Sequence, residues 1–271
     1  MGVALKIQLF GVLSGFALAC SVPALAASAL VEISGGGGNY AYAFGSNGRA
    51  ELAQLLPEGA ASGYADLRTG KLGAGAFTRG VAVEARASFR ERLMITIPGA
   101  TANTLTPISF NIKLDGIQGG DERSLTFMTI AYQFGQEGVV GADGDYLFMN
   151  VGTGTTESLE TTCGIADRGF GLRGDCTFFL KGATASVSIA ATLRANARNP
   201  SSTGLAFSDY THTSTLGLRL PDGVTFTSES GQFLTNAGVP EPASWAMLII
   251  GFGAVGAMQR RRIASLSTVS A

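Results

Sequence analysis

Ile108-Ser109-Phe110-Asn111-Ile112-Lys113-Leu114-Asp115-Gly116 alternates apolar and polar residues at period two and then stops on a turn-forming pair. Successive side chains of an extended chain point to opposite faces, so this stretch predicts a strand with one apolar and one polar face. The same rhythm recurs on both sides of it. Val81, Val83 and Ala85 alternate with Glu84 and Arg86, and Leu93, Ile95 and Ile97 follow and end at Pro98-Gly99. Val187, Ile189, Ala191 and Leu193 alternate with Ser188, Thr192 and Arg194. Leu216, Leu218 and Leu220 run into Pro221-Asp222-Gly223, after which Val224 to Thr227 resumes, which predicts a hairpin. Leu125 to Phe134 and Tyr146 to Val151 are more evenly apolar and read as strands buried on both faces. Helical patterning is scarce: Ala50 to Leu56 allows two turns at most before Pro57. Most of the 38 glycines punctuate these runs. The expected body is mainly β, a single β-sandwich of jelly-roll or immunoglobulin-like type spanning residues 28–235.

Working outward, both ends read as targeting segments. Lys6 is the positive side chain of an n-region, Ile7 to Ala19 is an apolar h-region, and Ala24-Leu25-Ala26 is a small-x-small cleavage site. This predicts a signal peptide over residues 1–27 and a mature chain starting near Ser28. Cys20 raises a lipoprotein alternative, but Ala17-Leu18-Ala19 places the leucine one step late for a good lipobox.

At the other end, Pro240-Glu241-Pro242 leads into Ala243 to Met258, sixteen residues without a charge, and Arg260, Arg261 and Arg262 stop the run. A hydrocarbon core needs a helix of about 20 apolar residues and at least about 17, so a span over 243–259 is short for a permanent anchor. Trp245 sits at the outer edge, where an indole is favoured, and three arginines belong on the cytoplasmic side. The body then lies across the inner membrane, and residues 263–271 are a cytoplasmic tail. The order Pro240-Glu241-Pro242, Trp245-Ala246, a Gly-Phe-Gly-rich apolar run and Arg-Arg-Arg resembles the PEP-CTERM sorting signal of Gram-negative bacteria, in its PEPxxWA variant. The resemblance covers roughly residues 238 to 263. It implies recognition by an exosortase, a membrane protease-transpeptidase that removes or exchanges the tail, and association with extracellular polysaccharide and biofilm. The stretch from Asp209 to Thr235 also resembles the strand pair that often precedes such tails, with 232–239 as the linker and 236–262 as the sorting-signal region.

Of the 19 basic and 20 acidic residues, Lys6, the three tail arginines and Glu241 belong to the ends, leaving 15 and 19 in the body and a net charge of −4. With no basic patch, a nucleic-acid partner is not expected. In an oxidising compartment Cys163 and Cys176 are expected to pair across a Gly- and Asp-rich loop, worth about 3 kcal/mol in the chain-entropy view. No metal site or cofactor is expected: zinc needs several nitrogen or sulfur ligands, and His212 is the sole histidine.

Catalytic residues are not expected either. His212 stands alone between threonines, and no Gly-x-Ser-x-Gly elbow accompanies it. Asp143-Gly144-Asp145, and Asp115 with Asp121-Glu122, lie in Gly-rich turns and read as solvated turn residues. A calcium loop is the alternative, and paired carboxylates of a glycosidase or lyase are the remote one. Ser34 to Asn39 is Gly-rich without a phosphate-loop ending and reads as a flexible leader. Tyr40, Tyr42 and Phe44 alternate as in a strand, and edge packing is the reading set against a sugar platform. The expected function is that of an exported, non-enzymatic surface or matrix β protein. A carbohydrate-binding module, with or without calcium, is the alternative.

Overall fold

Strand β7 (Leu105–Leu114) carries the alternation that the sequence announces: Thr106, Ile108, Phe110, Ile112 and Leu114 are buried, while Leu105 and Lys113 face out. It belongs to one of two antiparallel sheets in a computed structural model that describes residues 28–45, 47–136, 146–152, 158–161, 163–167, 172–201 and 204–235. Its sheet also holds β3 (Arg49–Leu56), β4 (Gly59–Asp66), β5 (Lys71–Arg79), β8 (Ile117–Gly120), β12 (Gly164–Asp167), β13 (Leu172–Lys181) and β15 (Leu205–Arg219). The other sheet holds β1 (Ser28–Gly35), β2 (Tyr40–Gly45), β6 (Val83–Thr96), β9 (Leu125–Gln136), β10 (Tyr146–Gly152), β11 (Ser158–Thr161), β14 (Thr184–Arg198) and β16 (Thr225–Ser228).

The strand orders are β12-β13-β7-β15-β5-β4-β3, with β8 beside β15, and β11-β10-β9-β14-β6-β1-β2, with β16 beside β6. The chain repeatedly leaves one sheet for the other: β5 leads to β6, β8 to β9, β11 to β12 and β14 to β15. The central strands β5-β15-β7-β13 and β6-β14-β9-β10 are thereby interleaved in the manner of a jelly roll. No parallel pair occurs among the described strands.

One apolar core fills the space between the sheets. Its aromatic centre bridges them: Phe110 of β7 stacks on Phe134 of β9 with centroids 4.2 Å apart, and Phe178 of β13 lies 5.9 Å from Phe110. Polar groups trapped in this layer find partners, as burial demands. The hydroxyl of Tyr132 on β9 shares a 2.8 Å hydrogen bond with Ser214 Oγ on β15, and Gln118 donates to the Tyr210 hydroxyl at 2.8 Å. Burial pushes the Tyr210 phenol up to about 12, and that of Tyr132 higher still. A phenol held protonated in the fold contributes stability that is complete below its ordinary value near 10 and is lost as pH rises through the folded value. Urea midpoints are therefore expected to fall above pH 10, and Tyr132→Phe should flatten that fall.

Several expectations need correction. Ala50 to Leu56 is not helical but lies within β3, paired with β4 from Arg49↔Asp66 to Leu56↔Gly59, so Pro57-Glu58 makes a tight turn instead of ending a helix. The Gly-rich leader is a hairpin bend. Gly37 and Gly38 take φ of 75° and 84°, which glycine adopts without strain, and Gly35 N–H donates to Asn39 O at 2.9 Å to close β1 onto β2. Strand β9 is not buried on both faces: Met128, Ile130, Tyr132 and Phe134 are buried, while the alternate Phe127, Thr129 and Ala131 are half-buried. Leu216 to Leu220 and Val224 to Thr227 do not form a hairpin, because β15 pairs with β5, β7 and β8, whereas β16 pairs with β6 in the other sheet. Pro221-Asp222-Gly223 turns the corner between sheets.

Residues 232–235 are not a free linker. Phe233 is buried, Leu234 N–H donates to Leu67 O at 2.9 Å, and Glu91, itself 4% exposed, accepts hydrogen bonds from Ser230. Strand β6 thus lends one edge to β14 and divides the other, with Val83–Arg90 facing β1 and Leu93–Thr96 facing β16.

Candidate functional site

Cys176 sits on the inward face of β13, and Cys163 lies just before β12, the strand that pairs with β13. Their sulfurs are bonded at 2.02 Å across a sequence separation of 13. The bond ties the edge strand β12 to the core. It is structural, with neither cysteine left for nucleophilic or metal chemistry.

The acidic turns do not assemble a site where they are described. Asp115 pairs with Lys113 at 2.7 Å, and Asp121 accepts from Leu205 N–H at 2.6 Å while its own carbonyl receives Ser124 N–H. Asp121 thereby fixes the turn between β8 and β9. Among the described residues no group of three or more His, Cys, Asp or Glu side chains could hold a metal ion. Asp143-Gly144-Asp145 lies outside the described residues. His212 falls on β15 where the register with β5 shifts between Tyr210 and Ser214.

Two surfaces have the mixed apolar and polar make-up of ligand sites. The first is a groove of about 480 Å³ across the outer face of β3, β4, β5 and β15. Among its lining residues, Leu55, Phe77 and Phe207 fall in one cross-strand row and Ser62, Gly75 and Asp209 in another, with Thr211 beside them. Asp209 Oδ1 accepts from both the hydroxyl and the N–H of Thr211, at 2.6 and 3.0 Å, so this pair is held rigid.

The second surface is the outer face of the opposite sheet. Tyr40, Tyr42 and Phe44 occupy alternate outward positions of the edge strand β2 and are 57, 59 and 69% exposed. The edge position expected for them is observed, but the rings project into solvent and contact one another, with centroids 6.0 and 5.4 Å apart. Beside them runs a row of paired polar groups. Tyr40 donates its hydroxyl to Glu32 Oε1 at 2.6 Å, Arg86 lies 3.5 Å from the same carboxylate, and Glu84 pairs with Arg194 and accepts from Asn196 at 3.2 Å. The hydrogen bond to Glu32, reinforced by burial, raises the Tyr40 phenol to about 12. The Arg194 guanidinium stands 5.2 Å from the centre of the Phe127 ring. None of Glu32, Glu84, Arg86, Arg194 and Asn196 stands out in the sequence. Their shared feature is the period-two position on the outer face of β1, β6 and β14, where Glu32, Arg86 and Arg194 align across strands and Glu84 aligns with the buried Asn196 only once the register is known.

The targeting residues, Ala24 and Ala26 at one end and Pro240, Glu241, Pro242, Trp245, Ala246 and Arg260 to Arg262 at the other, lie outside the described residues, as does the 243–259 span. No helix among the described residues is long and apolar enough to cross a membrane. No curated protein matches the chain. Among solved structures it is similar to that of TmCBM61 in complex with β-1,4-galactotriose, at 13% identity over 70% of this chain and 88% of that one, with a TM-score of 0.20. A likeness of that size carries no argument about fold or ligand. The tail is another matter, since the family model of the PEP-CTERM protein-sorting motif matches residues 238–262. The chain is therefore a protein that carries a PEP-CTERM sorting signal at its C-terminal end.

Proposed function

We propose that this is an exported, non-enzymatic β protein of the cell surface or extracellular matrix. Its signal peptide takes the body across the inner membrane, and the apolar tail then holds it there with Arg260 to Arg262 in the cytoplasm. An exosortase-type enzyme recognises Pro240-Glu241-Pro242 and cuts or exchanges the tail. Outside the cell the body associates with exopolysaccharide.

The observation that carries this reading is the sorting motif at 238–262, which begins just beyond the last anchored residues of the β body. Asn236 to Val239 are all that separate Thr235 from Pro240, a reach of at most about 18 Å for an extended chain. Such a tether suits a short hold for processing better than a long flexible display stalk. The disulfide supports export, because such bonds persist in oxidising compartments. The alkaline-shifted phenols in the core are explained by burial, and the Asp121 carboxylate by its turn, so neither calls for catalysis.

Deleting residues 240–262 and following the protein in its native host by fractionation and intact mass tests the reading. The unaltered chain should start near Ser28, lose mass from its C-terminal end and reach the outer envelope or medium. The deleted chain should escape that processing and bypass the membrane-held stage. Identical mass processing and distribution for both chains would refute the sorting role.

A further inference from the structure

Tyr40, Tyr42 and Phe44 leave three aromatic rings in water along one edge of the sheet, although covering apolar surface of this kind is favourable by roughly 25 cal/mol for each Å². A row of such rings, rather than scattered ones, marks a surface with a partner. The geometry narrows the partner. Rings succeed one another at 6.0 and 5.4 Å, a pitch comparable to one hexose unit, and their planes are turned by 45° and 69°. A pyranose presents a C–H face that packs on an aromatic plate, while its hydroxyls point sideways and need hydrogen-bonding neighbours. Glu32 on the adjoining β1 supplies the nearest of them, and Arg86 and Glu84 on β6 and Arg194 on β14 continue the polar face beyond it, already held by mutual pairing. Two carboxylates and two guanidinium groups make this row charge-balanced.

We infer that β2 and the polar row beside it bind a single extended chain of a neutral polysaccharide, with sugars stacked on Tyr40, Tyr42 and Phe44. The site rests on the exopolysaccharide association proposed above and gives it a location and a ligand class. Rings turned by these angles cannot bed together on a flat crystalline face, so the ligand is a separate chain free to twist. A balanced row offers no net attraction to an anionic glycan, and binding should change little with salt. A protein partner is the rival, because β2 is an edge strand open to strand addition by a second copy. The charged Glu32–Arg86 pair that starts on the strand next to the rings favours sugar, since the centre of a protein interface is depleted in charge.

Affinity electrophoresis of the intact chain recovered from its host, run through gels containing soluble β-glucan, xylan, galactan or alginate, tests this, together with sedimentation on microcrystalline cellulose. Retardation by at least one neutral polysaccharide, with neither alginate nor the crystalline solid binding, is the expected result. The Tyr40→Ala/Tyr42→Ala/Phe44→Ala variant should bind roughly tenfold or more weakly at an unchanged melting temperature. Tyr42→Ala should fall between, which keeps the comparison usable if the triple variant fails to fold, and Phe179→Ala on the opposite sheet, at a ring 60% exposed and outside the groove, should bind normally. Undiminished binding by folded aromatic variants would overturn the site while leaving polysaccharide association intact. No binding to any polysaccharide would overturn both. Loss of a dimer in the triple variant with glycan binding unchanged would make the row a protein interface instead.

Discussion

Phe110→Ala is expected to destabilise the β body by about 3–5 kcal/mol, the cost of emptying a fully buried aromatic site. Phe110 is 0% exposed and stacks on Phe134 from the opposite sheet and on Phe178 from its own neighbour β13. Removing the ring leaves a void between two rigid layers that cannot close without shifting whole strands. Since a domain is typically stable by about 5–15 kcal/mol in all, this one change takes a fifth of the margin at the least. A drop in the denaturant midpoint with unchanged slope is the expected reading; a change below about 1 kcal/mol would mean that the two sheets are not in contact there. Phe179→Ala provides the contrast, because Phe179 is the next residue on the same strand as Phe178 and is 60% exposed. Its loss should fall within about 0.5 kcal/mol.

The second large effect belongs to the disulfide. Cys163 and Cys176 close a loop with a separation of 13, and opening it releases chain entropy worth about 3 kcal/mol in the unfolded state. Cys176 is fully buried on β13, so reduction should loosen the β12–β13 edge before the centre of the sheet. Hydrogen exchange after reduction checks this. Amides of β12 and β13 should lose protection while those of β6 and β14 keep theirs. Uniform loss would show that the bond secures the fold globally.

The β character was legible because burial of a single face writes a period of two, as Ile108 to Leu114 and Val187 to Leu193 show. Ala50 to Leu56 defeated that reading: with Ala, Glu, Leu and Gln the local composition favours helix, and only pairing with β4 settles it as strand. The fate of β16 was equally hidden. A Pro-Asp-Gly turn between two alternating runs suits a hairpin, yet the chain changes sheets, a choice made by packing partners distant in sequence. The polar row beside β2 was invisible for the same reason, since Glu32, Arg86 and Arg194 are neighbours only across strands. The tail could be read directly because a sorting signal acts through its own linear order of residues.

Strand β16 also sets how the body answers to a pull. Tension arriving from the tail reaches Leu234 and Phe233 first, then the Ser230 contacts with Glu91, and only then the four residue pairs that join β16 to β6. The β1 pairs occupy a different stretch of β6, and the long β6–β14 pairing lies on its other edge. Separating the terminal segment from β6 therefore breaks none of the pairs that β6 makes with β1 and β14.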